Sequence, residues 1–586
     1  MSSLSRSKQP GYIARMAVTT KPRGGRPAAF SAASVAEAFQ LTADAHPDRI
    51  ALRTKGDDFS ITWREYAERV KRTAGGLAAL GLERGQTMAI MLTNRPEFHW
   101  FDAAALHLGA TPFSLYNTYT PEQIQYQVND AEARIVVTEE AFAERVRTLE
   151  GVENVVVVEE DGLPEPPDGF DFEAAWRAVE PGDLLTLIYT SGTTGPPKGV
   201  QLTHANVPAT IQGIHDIIGF PDDGRLVSWL PMAHIAERLC THYLPMFVGF
   251  STTCCPDPRQ VVAYLPEVRP TWFFAVPRIW EKLKAAIEAG IEAEQDEAKK
   301  QATKWALDLG LRKARGEEVD EEELAKADEL VLSKIRARLG LDQVESVNVG
   351  AAPTPPEVIE FFHALGIPLA ELWGMSETTG YGAVNPPDAI RIGTVGPPAP
   401  GAEIRLADDG EVLIRGSFIT TGYRNQPEKT AEAIDADGWL HTGDIGEFDE
   451  AGYLKLVDRK KELIISAGGK NMSPANIEAK LKASSPVIGQ AVAIGDGKPY
   501  NVALLTLDPD VAPAFEQQQG RDALLAEVER GVDAANEHLA RVEQIKRFKL
   551  LDQEWQPGGD ELTPTMKLKR KPIHEKYAEE IEALYA

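Results

Sequence analysis

Short apolar runs alternate with helix-length stretches along residues 31–160, and this alternation restricts the fold more than any other feature of the chain. Residues 88–92 read Met-Ala-Ile-Met-Leu, 133–137 read Ala-Arg-Ile-Val-Val, and 155–158 are four valines. Runs with so little polar alternation suit strands covered on both faces. Helical material lies before and between them, as at 64–80. Strand and helix taking turns at this spacing predict an α/β fold with crossover helices.

The pattern continues beyond this region. Residues 161–169 are rich in proline, glycine and acid and predict a surface loop. The apolar run 184–189 breaks into a Gly/Thr/Ser/Pro loop, 204–218 look helical, and 272–276 form a compact apolar run ended by Pro277. Residues 281–341 are rich in Ala, Glu, Lys, Leu and Arg. They predict two or three amphipathic helices with solvated faces, an insertion that packing alone would also explain. From Ile404 the texture becomes β-rich, with tight turns at Asp437-Gly438 and Glu450-Ala451-Gly452. A dense charge run at 458–461 separates the strand 453–457 from the apolar 463–465. The expected division is a basic flexible arm at 1–30, a large body at 31–457, a boundary at 458–461 and a small domain at 462–586.

With 586 residues the chain has core material for several domains, and its net charge of −27 lacks the positive footprint of a nucleic-acid binder. The cysteines, Cys240, Cys254 and Cys255, fit neither a zinc site nor a disulfide framework. They are expected to be small buried apolar residues in a reducing cytoplasm. No stretch of about 18 apolar residues appears, so no membrane-spanning helix is expected. The arm carries Arg6, Lys8, Arg15, Lys21, Arg23 and Arg26 and no acid. Disorder is its expected state, with a peripheral contact at the inner membrane face as the alternative.

The sharpest local pattern is Tyr189-Thr190-Ser191-Gly192-Thr193-Thr194-Gly195-Pro196-Pro197-Lys198-Gly199. Glycines let backbone N–H groups approach an anion, hydroxyls add donors, and Lys198 adds a mobile charge. Together they suit a polyphosphate. The pattern is not a Walker A loop, because Lys198 follows Pro197 and precedes Gly199.

At this loop the chain resembles the adenylate-forming superfamily of acyl-CoA synthetases, firefly-type luciferases and peptide-synthetase adenylation domains. Further motifs follow in the same order: Gly350-Ala351-Ala352-Pro353, Leu372-Trp373-Gly374-Met375-Ser376-Glu377, Gly438-Trp439-Leu440-His441-Thr442-Gly443-Asp444, and Val457-Asp458-Arg459-Lys460-Lys461. Near the end stands Thr565-Met566-Lys567, where many relatives carry Ser-Gly-Lys. The resemblance implies an α/β body of parallel and mixed sheets with a β-barrel-like part, and a small mobile α+β domain. It implies ATP, Mg2+ and CoA as cofactor and co-substrates.

The same resemblance assigns roles. Thr190, Ser191, Gly192, Thr193, Thr194, Gly195 and Lys198 would hold the phosphates, and Gly350, Ala351, Ala352 and Pro353 would lie along the adenine. Trp373, with Gly374, Met375 and Ser376, replaces a common tyrosine and would offer the base an aromatic face. Glu377 would hold Mg2+, an oxygen-seeking ion. Asp444 would accept from both ribose hydroxyls, with Arg459 and Lys461 nearby. Lys567 would be the catalytic lysine, with Lys569 its competitor, and Lys569, Arg570 and Lys571 would meet CoA phosphates or solvent. His234, in Leu230-Pro231-Met232-Ala233-His234, would line the carboxylate site, and Thr190 is also a catalytic candidate.

The implied reaction is activation of a fatty acid to acyl-AMP with loss of pyrophosphate, then thioester formation with CoA. The helical insertion at 281–341 and the segment 116–120 resemble long-chain fatty acyl-CoA synthetases. Three alternatives stay open: loading of an acyl carrier protein, a medium-chain or aryl substrate, and a nucleotide-binding scaffold without catalysis. Oligomeric state has no signal in the sequence.

Overall fold

The apolar runs of the N-terminal region pair side by side. In the computed structural model, which describes residues 25–160, 162–190, 197–465, 471–563 and 566–586, strands Thr111–Ser114, Thr87–Met91, Ile135–Thr138 and Asn154–Val157 form, in that order, a parallel sheet. Thr87–Met91 is buried at every position, as an inner strand of such a sheet must be. Helices Pro96–His107 and Pro121–Ala131 make the crossovers. Helix Trp63–Ala79, expected at 64–80, starts on a capping box in which Thr62 and Glu65 satisfy each other's backbone N–H.

Two further sheets complete the α/β layers. One orders Ser60–Thr62, Ile50–Thr54, Ser251–Cys254 and Arg225–Ser228. The other runs Trp272–Ala275, Ser346–Val349 and Leu369–Trp373 in parallel and closes with antiparallel Ala383–Val384. Leu184–Thr190, Lys198–Thr203 and Gly422–Tyr423 make an antiparallel ribbon. The β-rich texture after Ile404 is an antiparallel sheet of Glu403–Leu406, Glu411–Arg415, Leu440–Phe448 and Leu454–Arg459. Its turns use Gly438 at φ 79° and Gly452 at φ 83°, a region that favours glycine.

The helical insertion consists of Pro277–Glu292, Glu297–Ala314 and a third run, Glu321–Ala327, that passes through a π turn into Ser333–Leu339. Its apolar stripes bring Trp280, Leu307, Leu309 and Leu332 into one core with Phe362. Beyond the charge run, Ile488–Ile494, Asn501–Leu507 and Ile545–Leu550 form a separate sheet. None of the described core clusters joins residues on both sides of 458–463. The two sides meet through charge instead. Arg278 pairs with Asp508, and Lys282 Nζ lies 2.5 Å from Asp510 Oδ2. The first helix of the insertion is therefore a docking ledge as well as packing.

Residues 1–24 of the basic arm lie outside the described residues. Its last part is packed: Ala28–Ser31 is a 3-10 turn with Ala29 and Phe30 buried, so apolar burial starts before residue 31. All three cysteines are buried and free. No helix among the described residues is long and apolar enough to cross a membrane.

One buried polar network lies deep in the body. Arg238 and Asp102 are fully buried and paired. Arg238 also donates to Tyr243 Oη at 2.9 Å, Ser114 Oγ at 2.6 Å and the Pro112 carbonyl at 3.2 Å. His242 Nε2 donates to Asp102 Oδ1 at 2.8 Å. Burial pushes His242 well below its ordinary value, with His99 and Arg238 adding to the effect, so this histidine is a neutral donor. The network fixes the π turn Arg238–Tyr243. Removing one partner would strand a buried charge. We expect Asp102→Ala to lower stability by roughly 3–5 kcal/mol, and a paired Asp102→Leu/Arg238→Met change to recover most of it. Urea unfolding followed by tryptophan fluorescence measures both.

Candidate active site

The ends of the glycine-hydroxyl loop are set by a hairpin. Thr190 closes one strand and Lys198 opens the next, directly opposite each other in the register. Ser191, Gly192, Thr193, Thr194 and Gly195 lie outside the described residues. Lys198 projects over the Tyr423 ring, with Nζ 4.4 Å from its centroid. The Tyr423 hydroxyl donates to Glu377 Oε1 at 2.9 Å. Glu377 is 8% exposed and sits in the 3-10 turn Ser376–Thr378 that follows strand Leu369–Trp373. That turn is tight: a Cβ on Gly374 would lie 2.3 Å from the Gly380 backbone. Met375 anchors it, its carbonyl accepting from Thr378 and Gly380 N–H.

Asp444 is the second buried carboxylate. Strand pairing sets it opposite Arg459. Arg459 Nε lies 2.8 Å from Oδ1, and the Trp373 indole N–H donates to Oδ2 at 2.8 Å. Burial raises its pKa, and Arg459 and Trp373 pull it back. Each oxygen keeps a lone pair for a further donor. Trp373 itself is 7% exposed, with Gly382 against its ring. Its N–H is spent on Asp444, a role its motif did not announce. Close by in sequence, Gly350 is buried against Leu372, while Ala351, Ala352 and Pro353 are exposed. Ala351 adopts φ 70°.

Lys567 arrives from the other end of the chain. Its ammonium feels Arg459, Asp444, Glu377 and Glu462, and it depresses His234. The residue is exposed, yet enough protein surrounds the ammonium to disfavour its charge. Burial therefore lowers the Lys567 pKa, Arg459 adds to this, and Asp444 and Glu377 oppose it. Met566 stands where relatives place glycine and has φ 63°, the left-handed region that glycine prefers. Lys569 is engaged elsewhere, donating to the Gly559 carbonyl at 2.7 Å.

His234 caps the short helix Ile235–Glu237 through Nδ1, which accepts from Ala236 N–H at 3.2 Å. Burial, with Lys567 adding to it, pushes its pKa down to about 3. The neutral ring then carries its proton on Nε2, a donor rather than a charge. Just past it lies an apolar cavity lined by Ile214, Ile218, Leu239, Cys240, Phe274 and Tyr381, with a volume of ≈ 30 Å³. That is room for about two waters, so a larger ligand needs side chains to move.

Arg570 does not face this cleft freely. Its guanidinium binds Glu478 at 2.6 Å and Glu462 at 3.0 Å, tying the Lys567 turn to the charged boundary. A phosphate contact by Arg570 would have to break both pairs. Asp458 bonds Ser473 Oγ at 2.6 Å, Lys460 lies 3.0 Å from Glu411, and Lys461 is exposed. Among the described residues no cluster of three or more His, Cys, Asp and Glu side chains could hold a metal.

Residues 39–424 match the family model described as AMP-binding enzyme, and 461–586 match that of the AMP-binding enzyme C-terminal domain. The chain is 51% identical to the putative fatty-acid–CoA ligase fadD11 of Mycobacterium tuberculosis over 436 residues, 72% of this chain and 76% of that one. It is 35% identical to the long-chain-fatty-acid–CoA ligase FadD15 of Mycobacterium bovis, over 90% of this chain and 92% of the relative. The fold matches that of the O-succinylbenzoate CoA synthetase MenE of Bacillus subtilis in complex with ATP and magnesium ion. The TM-score is 0.68 at 23% identity, covering 91% of this chain and 98% of that one.

A depressed lysine loses its proton earlier as pH rises. Any reaction that needs the Lys567 ammonium should therefore slow on the alkaline side with a midpoint below the ordinary lysine value of about 10.4. Lys567→Arg should be slower throughout but lack that alkaline limb, because arginine stays charged. A pH profile of pyrophosphate release for both proteins measures this.

Proposed function

The chain belongs to the AMP-binding enzyme family, and from that premise we propose that it activates a long-chain fatty acid as acyl-AMP and passes the acyl group to CoA. The observation that carries this reading is the meeting of Lys567 with Glu377, Asp444 and His234, groups from distant parts of the chain. A carboxylate oxygen of the acid attacks the α-phosphorus of ATP, and the bond to the pyrophosphate oxygen breaks. Lys567 and Lys198 offset the negative charge that builds there, and His234 donates through Nε2–H. Asp444 orients the ribose, and the open face of Ala351 and Ala352 receives the base. In the second step the CoA sulfur attacks the acyl carbonyl, its proton passes to water, and the bond from the acyl carbon to the phosphate oxygen breaks to release AMP.

A magnesium ion fits Glu377 on chemical grounds. One carboxylate oxygen is held by Tyr423, the other has no hydrogen-bond partner among the described residues, and magnesium is commonly bound by one or two carboxylates together with substrate phosphates and water. When bound it supplies charge neutralisation on the triphosphate. The apolar cavity beyond His234 is the natural seat for the acyl tail, provided its lining opens. The relatives named as fatty-acid–CoA ligases favour a long chain and CoA over an aryl acid or a carrier protein.

The charged segment 458–461 serves as the hinge between the two half-reactions. Asp458, Lys460 and Arg570 hold it in the orientation that brings Lys567 to the site. The Lys461 N–H makes no backbone hydrogen bond among the described residues, so proline there removes rotation rather than a bond.

Pyrophosphate release with acids from octanoate to arachidate tests the function. We expect the highest kcat/KM for long chains and thioester formation with free CoA. No release with any fatty acid, or transfer only to acyl carrier protein, would overturn the reading. Lys567→Ala should cost about 10²–10³-fold in adenylation with the fold intact. Lys461→Pro should slow thioester formation more than adenylation, measured as two separate half-reactions.

A further inference from the structure

No motif singles out Tyr423, yet it touches two charged groups of the site at once. Its hydroxyl donates to Glu377 Oε1 at 2.9 Å, and Lys198 Nζ lies 4.4 Å from the centre of its ring. Glu377 and Lys198 have opposite charge, and among the described residues they form no ion pair with each other. In a site partly shielded from water, such groups would otherwise pair directly. The ring stands between them and satisfies each differently, the anion by its O–H edge and the cation by its π face.

The backbone fixes this placement. Gly422–Tyr423 pairs with the strand that begins at Lys198, Tyr423 lying opposite Val200. Tyr423 N–H donates to Thr430 Oγ1 at 2.9 Å, Arg424 N–H to the Gly199 carbonyl at 2.8 Å, and Thr420 N–H to the Glu377 carbonyl at 2.8 Å. The tyrosine is thus tied to the lysine strand and to the glutamate turn. It is 8% exposed, so its hydroxyl has little access to water beside Glu377.

We infer that Tyr423 is a positioning residue that holds Glu377 and Lys198 apart, so that the carboxylate stays free for a divalent cation and the ammonium for phosphate. This rests on the proposed roles of those two residues toward magnesium and ATP. Tyr423→Phe removes only the hydroxyl; Tyr423→Leu removes the ring as well. The direct readout is calorimetric binding of ATP to the whole protein, with and without Mg2+. In Tyr423→Phe the gain in ATP affinity that Mg2+ confers should shrink by roughly tenfold, the usual scale for one hydrogen bond to a charged group. Metal-free ATP affinity and the KM for the fatty acid should stay within about twofold, and thermal unfolding should match the wild type. Tyr423→Leu should also weaken metal-free ATP. Wild-type Mg2+ dependence in Tyr423→Phe, or equal loss with and without Mg2+, would overturn the inference. If wild-type protein binds ATP but releases no pyrophosphate with any acid, the proposed function fails while the calorimetric comparison still decides the role of Tyr423.

Discussion

Asp444 is a carboxylate taken out of water, and it is tolerated only because two donors meet it. Arg459 comes from the neighbouring strand of the antiparallel sheet, and the Trp373 indole comes from the end of a parallel sheet. A buried anion without such partners would be costly or would neutralise itself. The bond to Trp373 therefore pins the two sheets together at their edge. Glu377 follows Trp373 by four residues, so the same joint sets where the second carboxylate stands. Lys567 then enters a field already shaped by these groups.

That arrangement divides labour between a rigid body and a docked partner. The body supplies Lys198, Tyr423, Glu377, Asp444 and His234 from strands and tight turns held by short hydrogen bonds. The C-terminal part supplies one ammonium and is held by ion pairs, Arg278 with Asp508 and Lys282 with Asp510, without a shared apolar core. The Asp508 carboxylate is 3% exposed while the Lys282–Asp510 pair lies at the surface, so the joint is charged and only partly open to water. Such a joint, without a shared apolar core, fits the hinge proposed at 458–461. The buried Arg238–Asp102 network has the opposite character: it is sealed from water and braces the turn that carries Leu239 and Cys240 to the apolar cavity.

Much of the fold was legible in local pattern. The runs at 88–92, 133–137 and 155–158 became strands within one or two residues of their expected limits, because burial on both faces leaves few other uses for such runs. The helix at 64–80 was bounded by its cap. The basic arm was drawn too long, since Phe30 finds a pocket that no nearby residue announces. In the site, the motif singled out Lys567, and the structure sets its ammonium among Arg459, Asp444 and Glu377. Met566, in place of the glycine of Ser-Gly-Lys, adopts a φ of 63°, a region that glycine prefers. The engagement of Arg570 is not legible locally, because its two carboxylate partners, Glu462 and Glu478, lie far away in sequence.

By itself, the sequence determined which residues carry charge and hydroxyls, their order, and the periods that fold into sheets and helices. These are local properties, set by side-chain chemistry and backbone preference over a few residues. Only the tertiary structure decided that Tyr423 touches both Lys198 and Glu377, that Trp373 spends its N–H on Asp444, and that Arg278 receives Asp508. Each joins residues dozens to hundreds of positions apart. Such contacts depend on how sheets pack and twist against one another, and no spacing rule along the chain encodes that.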